Sequence, residues 1–242
     1  MTVALITGGT RGIGFAVAKR LAGRGCELIL TYHSNEEAAG RAERELRALG
    51  AESVAVLALD TSKEESVPRL SAYLRERGTA VDVLVLNAGI TKREPFGQIS
   101  QKSWMEVFQA NVHFPTLLIQ DLAGDVLVPG SSIVFTGSLL GIRPHGTVLS
   151  YGVTKAAVHA LVENLVKFLS PLNIRVNAVA PGFVDTDWQR NKPAEIRASI
   201  ESKIALGRFS GPDEISDAFM FAIDSKYLNG EIIKIDGGYD LR

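Results

Sequence analysis

Thr7-Gly-Gly-Thr-Arg-Gly-Ile-Gly14 is the stretch from which the fold of this chain is read. An apolar run, residues 3–7, precedes it, and an amphipathic segment, residues 12–24, follows it. A glycine turn between a buried strand and a helix lets backbone N–H groups and the helix N-terminus face a pyrophosphate. Gly8, Gly12 and Gly14 are spaced G-x-x-x-G-x-G, which departs from the usual dinucleotide fingerprint. That fingerprint cannot start at Gly12 either, because position 17 is Val. No Gly-Lys-Ser/Thr follows, so this is not a nucleoside-triphosphate loop. A plain turn with a helix cap would need one glycine rather than several.

Outward from this turn, short β-branched runs alternate with longer amphipathic ones. Further strands are predicted at 27–31, 53–58, 83–87, 131–137, 174–180 and 231–235. Helices are predicted at 36–49, 63–77, 101–127, 151–169 and 212–224, the long one irregular near Pro115 and Gly124. Strands apolar on both faces, alternating with helices, predict a parallel sheet covered on both sides. Right-handed crossovers make it a single Rossmann-like, doubly wound α/β domain over residues 1–242, with seven strands. Residues 183–210 are polar and weakly helical, which in a compact domain suggests a substrate lid.

Lys and Arg number 26 against 27 Asp and Glu, a net charge of -1 that gives no support for binding nucleic acid or an anionic membrane. Cys26, the single cysteine, precludes an intramolecular disulfide and suits a cytoplasmic location. No Cys/His cluster has metal-ligand spacing, so no metal is expected. With the first strand expected almost from Met1, the N-terminus shows no basic n-region and apolar h-region and no leader is expected, and no apolar run reaches the ~18 residues of a membrane span.

At the end of the second strand an Asp or Glu would grip a ribose 2′-hydroxyl. This chain reads Thr31-Tyr-His-Ser-Asn35 there. Without that carboxylate a 2′-phosphate is not repelled. Arg11 could supply positive charge, and His33 and Ser34 hydrogen bonds, so NADP(H) is expected over NAD(H); His33 could equally be a solvated loop residue.

Tyr151-Gly-Val-Thr-Lys155 sets a phenol and an ammonium one helical turn apart on one face. A nearby ammonium favours the phenolate and lowers a phenol pKa from its usual ~10. The pair could act as a general acid/base on an alcohol or a ketone; the spacing also suits an ordinary exposed helix face.

Together these features resemble the short-chain dehydrogenase/reductase family. The resemblance rests on the glycine turn, Asp60, Asn87-Ala-Gly89, Asn111, Ser138, Tyr151-x-x-x-Lys155, Pro181-Gly182 and Asp236-Gly-Gly238, in that order. It implies that Tyr151 exchanges a proton with the substrate oxygen and that Ser138 holds that oxygen. Lys155 would bind the nicotinamide ribose and depress the Tyr151 pKa, and Asn111 would hold a relay water. Gly8, Thr10, Arg11, Ile13 and Gly14 would meet the cofactor phosphates. Asp60 and Thr61 would meet the adenine end, Asn87, Ala88 and Gly89 the adjoining ribose region, and Pro181, Gly182, Val184 and Thr186 the nicotinamide. Bland readings also stand: backbone bonding for Asn111, a turn for Ser138, a helix cap for Asp60, a strand end for Asn87.

Within the family, Gly9-Thr-Arg-Gly-Ile-Gly14, Asn87-Ala-Gly-Ile-Thr91 and Pro181-Gly-Phe-Val-Asp-Thr-Asp187 resemble the 3-oxoacyl-[acyl-carrier-protein] reductases of fatty-acid and polyketide synthesis. The resemblance implies NADPH-dependent reduction of a 3-oxoacyl thioester, with an acyl carrier protein as a partner. Carrier-docking relatives tend to carry Arg or Lys where this chain reads Asp125-Val-Leu-Val-Pro-Gly130 and Ser170-Pro-Leu-Asn173. An acidic carrier gains little from that surface, so docking would use Arg143, Lys192 or Arg197, or a partner subunit of the same family, or the substrate is not carrier-bound. Trp188 could cover an acyl chain or merely pack the lid, and His145 reads as a loop residue. An alcohol, sugar or steroid dehydrogenase is the alternative enzyme, a non-catalytic dinucleotide-binding subunit a remote one. The resemblance also implies a homo-oligomer, for which residues 156–166 offer an apolar stretch.

Overall fold

A computed structural model describes residues 2–144, 146, 148–190, 192–239 and 241. The chain runs β1 (Val3–Thr7), α1 (Gly12–Ala22), β2 (Glu27–Tyr32), α2 (Glu36–Ala48), β3 (Ser53–Ala58), α3 (Ser66–Glu76), β4 (Val81–Leu86), α4 (Gln101–Phe108) and α5 (Phe114–Leu122). It continues with β5 (Leu127–Thr136), α6 (Leu149–Leu169), β6 (Arg175–Pro181), α7 (Ala194–Glu201), α8 (Pro212–Asp224) and β7 (Ile232–Ile235). The seven strands form one sheet in the order β3-β2-β1-β4-β5-β6-β7. Every pairing is parallel. Strand order reverses between β1 and β4, which opens a crevice beyond their C-terminal ends.

Burial explains the two-sided cover. Leu5, Leu84 and Ile133 pack with Leu70 of α3, Leu118 of α5 and Val162 of α6 on one face. Their strand neighbours Ile6, Val85 and Val134 pack with Val17 of α1, Leu46 of α2 and Phe219 of α8 on the other. Successive strand residues point to opposite faces, so the central strands send apolar side chains into both helical layers.

Three local expectations need correction. The stretch 101–127 is not one helix: α4 and α5 are joined by a π-helical turn, Gln109–His113, in which the Phe114 N–H reaches back to the Gln109 carbonyl. The break therefore centres on Asn111 rather than on Pro115, which sits in the first turn of α5. Proline lacks the N–H that would close an α-turn onto the Asn111 carbonyl, so a wider turn forms just ahead of it. Second, β5 begins at Leu127 rather than at residue 131. Pro129-Gly130 forms an irregularity inside the strand, with Gly130 at φ 98° and a register shift between Val81 and Val83. Third, α3 starts at Ser66 rather than at residue 63, because Asp60 organises the residues before it into a turn.

The stretch after β6 folds back on the sheet. Val184 bridges Ser210, and Phe183 packs with Ile200, Ile204, Phe209 and Tyr239. That cluster anchors α7 above the C-terminal ends of the strands.

Candidate active site

A cavity of about 1190 Å³ occupies the crevice. Gly8, Thr10, Arg11, Ile13, His33, Asp60, Thr61, Asn87, Ala88 and Gly89 line it, as do Ser138, Tyr151, Lys155, Pro181, Gly182, Val184 and Thr186. Three predicted residues do not: Gly14 and Asn111 are buried behind its wall, and Ser34 is exposed outside it.

At the glycine turn, close backbone packing explains the composition. Gly8 and Gly12 hold φ values of 63° and 56°, in the left-handed region that favours glycine. A Cβ on Gly14 would lie 2.5 Å from the Gly8 carbonyl oxygen and 2.6 Å from Asn87 Nδ2. Gly14 thus lets helix and turn approach, and does not itself face the cavity. Asn87 pins the same turn: its Nδ2 donates to the carbonyls of Thr7 at 3.1 Å and Gly8 at 3.0 Å, and its Oδ1 accepts from Thr136 Oγ1 at 3.2 Å. Both amide hydrogens are committed to the protein, so Asn87 is a positioning residue here and the backbone of Ala88 and Gly89 carries the exposed surface.

A dinucleotide fits this end. The turn and the N-terminus of α1 open onto the cavity, and no carboxylate occupies residues 31–35. Arg11 is half-exposed and pairs with Asp187 after β6, Nη1 to Oδ2 at 3.4 Å. Asp60 Oδ1 accepts from the Ser62 amide at 3.0 Å and hydroxyl at 2.7 Å. Its other oxygen faces His33 Nε2 at 3.5 Å. Burial raises the Asp60 pKa, but the Ser62 bonds, His33 and Lys63 outweigh it and leave the carboxyl below its ordinary value. Asp60 therefore caps its own turn while one edge remains at the cavity wall.

At the other end, Tyr151 and Lys155 project from the first turns of α6. Lys155 is buried, and its Nζ donates to the Thr136 carbonyl at the end of β5 at 2.6 Å. Burial lowers its pKa to about 8. The ammonium stands 5.5 Å from the centroid of the Tyr151 ring. The expected depression of the phenol pKa is reversed: burial pushes Tyr151 up to about 12, with a hydrogen bond from Ser138 acting in the opposite sense. Desolvation of the charged form dominates. Tyr151 is thus held in its protonated, donor form. Trp188 packs edge-on against its ring, centroids 5.8 Å apart, so this residue covers the phenol.

Ser138 is fixed from two sides. Its Oγ accepts from the Leu140 amide at 3.1 Å, and its own amide donates to His159 Nε2 at 3.3 Å. Asn111 is 3 % exposed and uses its side chain as a brace. Its Oδ1 accepts from the Ile90 amide at 2.8 Å, and its Nδ2 donates to the Ile90 carbonyl and to Thr154 Oγ1, both at 3.0 Å. It lies close to Gly89, whose added Cβ would stand 3.1 Å from Asn111 Oδ1 and 3.8 Å from Lys155 Nζ. The backbone-bonding role is therefore present, beside the lysine. Thr136, Thr154 and His159 were not singled out from the sequence. Only the i, i+4, i+8 register of Tyr151, Lys155 and His159 could have flagged the last. His145 lies outside the described residues.

Of the docking cations, Arg197 is taken up by Asp185 and Glu201. Arg143 is exposed away from the cavity, and Lys192 lines it near Arg93. Asp125 is held by Arg75 at 2.7 Å. Among the described residues, no group of acidic, His and Cys side chains could hold a metal ion, and no helix is long and apolar enough to cross a membrane.

A doubly wound sheet with a glycine turn at its switch point, and a Tyr–Lys pair facing a serine in the same cavity, defines a dinucleotide-dependent oxidoreductase. The chain belongs to the short-chain dehydrogenase/reductase family. The family model described as Enoyl-(Acyl carrier protein) reductase matches residues 8–240. The 3-oxoacyl-[acyl-carrier-protein] reductase FabG of Aquifex aeolicus is 34% identical over 239 residues, 98% of this chain and 96% of that one. The 3alpha-hydroxysteroid dehydrogenase of Mediterraneibacter gnavus is 32% identical, over 97% and 95% of the two chains. A short-chain dehydrogenase from Burkholderia cenocepacia, solved in complex with NADP, superposes with a TM-score of 0.90 at 30% identity, covering 98% of this chain and 97% of that one.

Proposed function

We propose that this protein reduces the 3-oxo group of an acyl thioester to the 3-hydroxy form, with NADPH as the reductant. The observation that carries the reading is the convergence of Tyr151, Ser138 and Lys155 in the same cavity that Arg11 and the glycine turn enter from the other end. The nicotinamide, when bound, supplies the hydride. The chain does the rest. Ser138 Oγ, already oriented by the Leu140 amide, holds the substrate carbonyl oxygen. Tyr151 gives that oxygen its phenolic proton as negative charge develops there. Lys155 places positive charge beside the forming tyrosinate, and the turn at Asn111 borders the route by which the proton is replaced. Gly8, Thr10, Arg11 and Ile13 would hold the phosphates, Arg11 and His33 the 2′-phosphate.

Thioester binding is supported at the lid, the role we assign to residues 183–210. Thr91 Oγ1 and Gln189 Oε1 line the cavity and are buried without a protein partner; the ketone and amide groups of a thioester arm could engage them. Trp188, Ile196 and Ile200 offer apolar cover. A carrier protein as donor of the substrate belongs to this reading, as does a homo-oligomer built on the exposed Met105, Leu117, Val153 and Phe168. The test is NADPH oxidation with acetoacetyl thioesters of CoA and carrier protein beside a panel of steroids, sugars and alcohols. Turnover only on the panel would replace this reading with the dehydrogenase alternative, which the steroid-dehydrogenase relative and the apolar cover of Trp188, Ile196 and Ile200 favour.

A further inference from the structure

We propose that His159 is a positioning residue for the reaction: as a neutral imidazole it holds the Ser138 amide and thereby sets the serine hydroxyl against Tyr151. The proposal rests on the carbonyl-reductase reading and extends it to a residue outside the Ser–Tyr–Lys set.

His159 lies on α6 eight residues after Tyr151 and four after Lys155, one face of one helix. Its ring is buried, 9 % exposed. Nε2 receives the Ser138 N–H at 3.3 Å, so Nε2 carries the lone pair and Nδ1 the proton. The turn around Ser138 is shaped to the ring. A Cβ on Gly137 would lie 2.5 Å from Nε2, and one on Gly141 would lie 2.8 Å from Cε1. Glycines on both sides of Ser138-Leu-Leu140 thus form a slot for an imidazole. The serine leaves β5, and its amide would otherwise have no strand partner there. One helix consequently fixes all three reacting side chains: two directly, and the serine through the histidine.

The acceptor exists only while the ring is neutral. Lys155 is the charged group whose field reaches the ring, and together with burial it holds the His159 pKa down to about 4. The Gly137–Gly141 turn and the adjoining Val176–Ala180 of β6 carry no titratable side chain. The folded pKa lies below the ordinary 6.5, so the neutral ring and its bond are present through the physiological range and fail as pH falls towards 4.

The experiment compares wild type, His159→Phe and His159→Gln. Phenylalanine keeps the bulk without the acceptor, and glutamine keeps an acceptor. Amide exchange at Ser138 is read by NMR, and NADPH binding, kcat and KM by fluorescence and steady-state kinetics. We expect H159F to exchange Ser138 at least 10-fold faster and to lose about 10-fold or more in kcat, in line with the sensitivity of catalysis to small displacements. KM and NADPH affinity should change little. H159Q should recover most of both effects and lose the acid limb of the wild-type pH profile. Equal kcat losses in both variants, or wild-type exchange and kcat in H159F, would overturn the proposal. If H159F does not fold, unchanged protection of the wild-type Ser138 amide between pH 6 and pH 4, its exchange taken relative to the intrinsic rate at each pH, would overturn it as well. The exchange measurement needs no substrate, so it separates this proposal from the substrate reading.

Discussion

The ammonium of Lys155 lies 2.6 Å from the carbonyl oxygen of Thr136, the last residue of β5. That bond ties the base of α6 to the centre of the sheet and keeps a cation out of water. Keeping the charge buried lowers the lysine pKa from 10.5 to about 8. Below pH 8 both folded and unfolded chains are protonated and the cost is fully present. Between about 8 and 10.5 the unfolded chain binds the extra proton, so this group makes the protein more stable as pH rises through that window.

Lys155→Met follows from this. Removing the charge relieves roughly 3 kcal/mol of desolvation at pH 7, while the lost bond to Thr136 costs about 1 kcal/mol. Chemical denaturation should find the variant about 2 kcal/mol more stable, with the rise between pH 8 and 10.5 reduced. Its turnover should fall by about 100-fold or more. A destabilised variant would show that the lysine is a net structural support.

Tyr151 ionises only near pH 12. Its folded pKa is raised, so the group contributes stability that is lost as pH rises from 10 to 12. Ketone reduction needs the protonated phenol, which is present throughout that approach. The alkaline loss of kcat/KM in the free enzyme should therefore fall near pH 8, where Lys155 discharges, and not near 10. Tyr151→Phe should lower turnover by about 1,000-fold while cofactor fluorescence shows unaltered NADPH binding.

Arg11 bridges the glycine turn to Asp187. Arg11→Ala should weaken NADPH by about 10-fold and NADH hardly at all, as read by titration calorimetry. Asp187→Asn frees the guanidinium and should tighten NADPH a few-fold. Equal effects on the two dinucleotides would remove the 2′-phosphate contact from Arg11.

Gly14→Ala tests the packing of the turn. The new methyl meets backbone at 2.5 Å, and backbone cannot step aside as a flexible side chain can. We expect a loss of about 2 kcal/mol or more in stability and a marked fall in affinity for both dinucleotides. Thermal unfolding with and without NADPH measures both.

Asn111→Ala removes three hydrogen bonds that brace Ile90 and Thr154. Removing that brace from these largely enclosed groups should cost about 2 kcal/mol, measured by urea denaturation. If the neighbourhood of Lys155 also matters, kcat should fall well beyond any change in KM.

The sheet was legible because its signals are local. Ile6, Val85 and Val134 lie in runs apolar on both faces, and parallel strands need such runs. The glycine turn was legible for a similar reason, since Gly8 and Gly12 adopt conformations other residues rarely reach. The break at Asn111 was misplaced by four residues because Pro115 acts at a distance along the chain: its missing N–H widens the turn before it. The continuation of β5 through Pro129-Gly130 was invisible because only pairing with β4 decides that such a dipeptide kinks a strand instead of ending it.

For the site, the order and spacing of Ser138, Tyr151 and Lys155 by themselves determined which side chains could share a reaction, because a helix fixes the register of residues four apart. Only the tertiary structure decided their states. Burial is a property of the assembled core, and it reversed the expected effect on Tyr151 by desolvating the tyrosinate. Hydrogen-bond partners are equally non-local. Asn87 proved committed to the glycine turn 79 residues before it, and Ser138 to His159, 21 residues after it. Sequence set the inventory and its spacing; the packing of β5 against α6 set which proton each group holds.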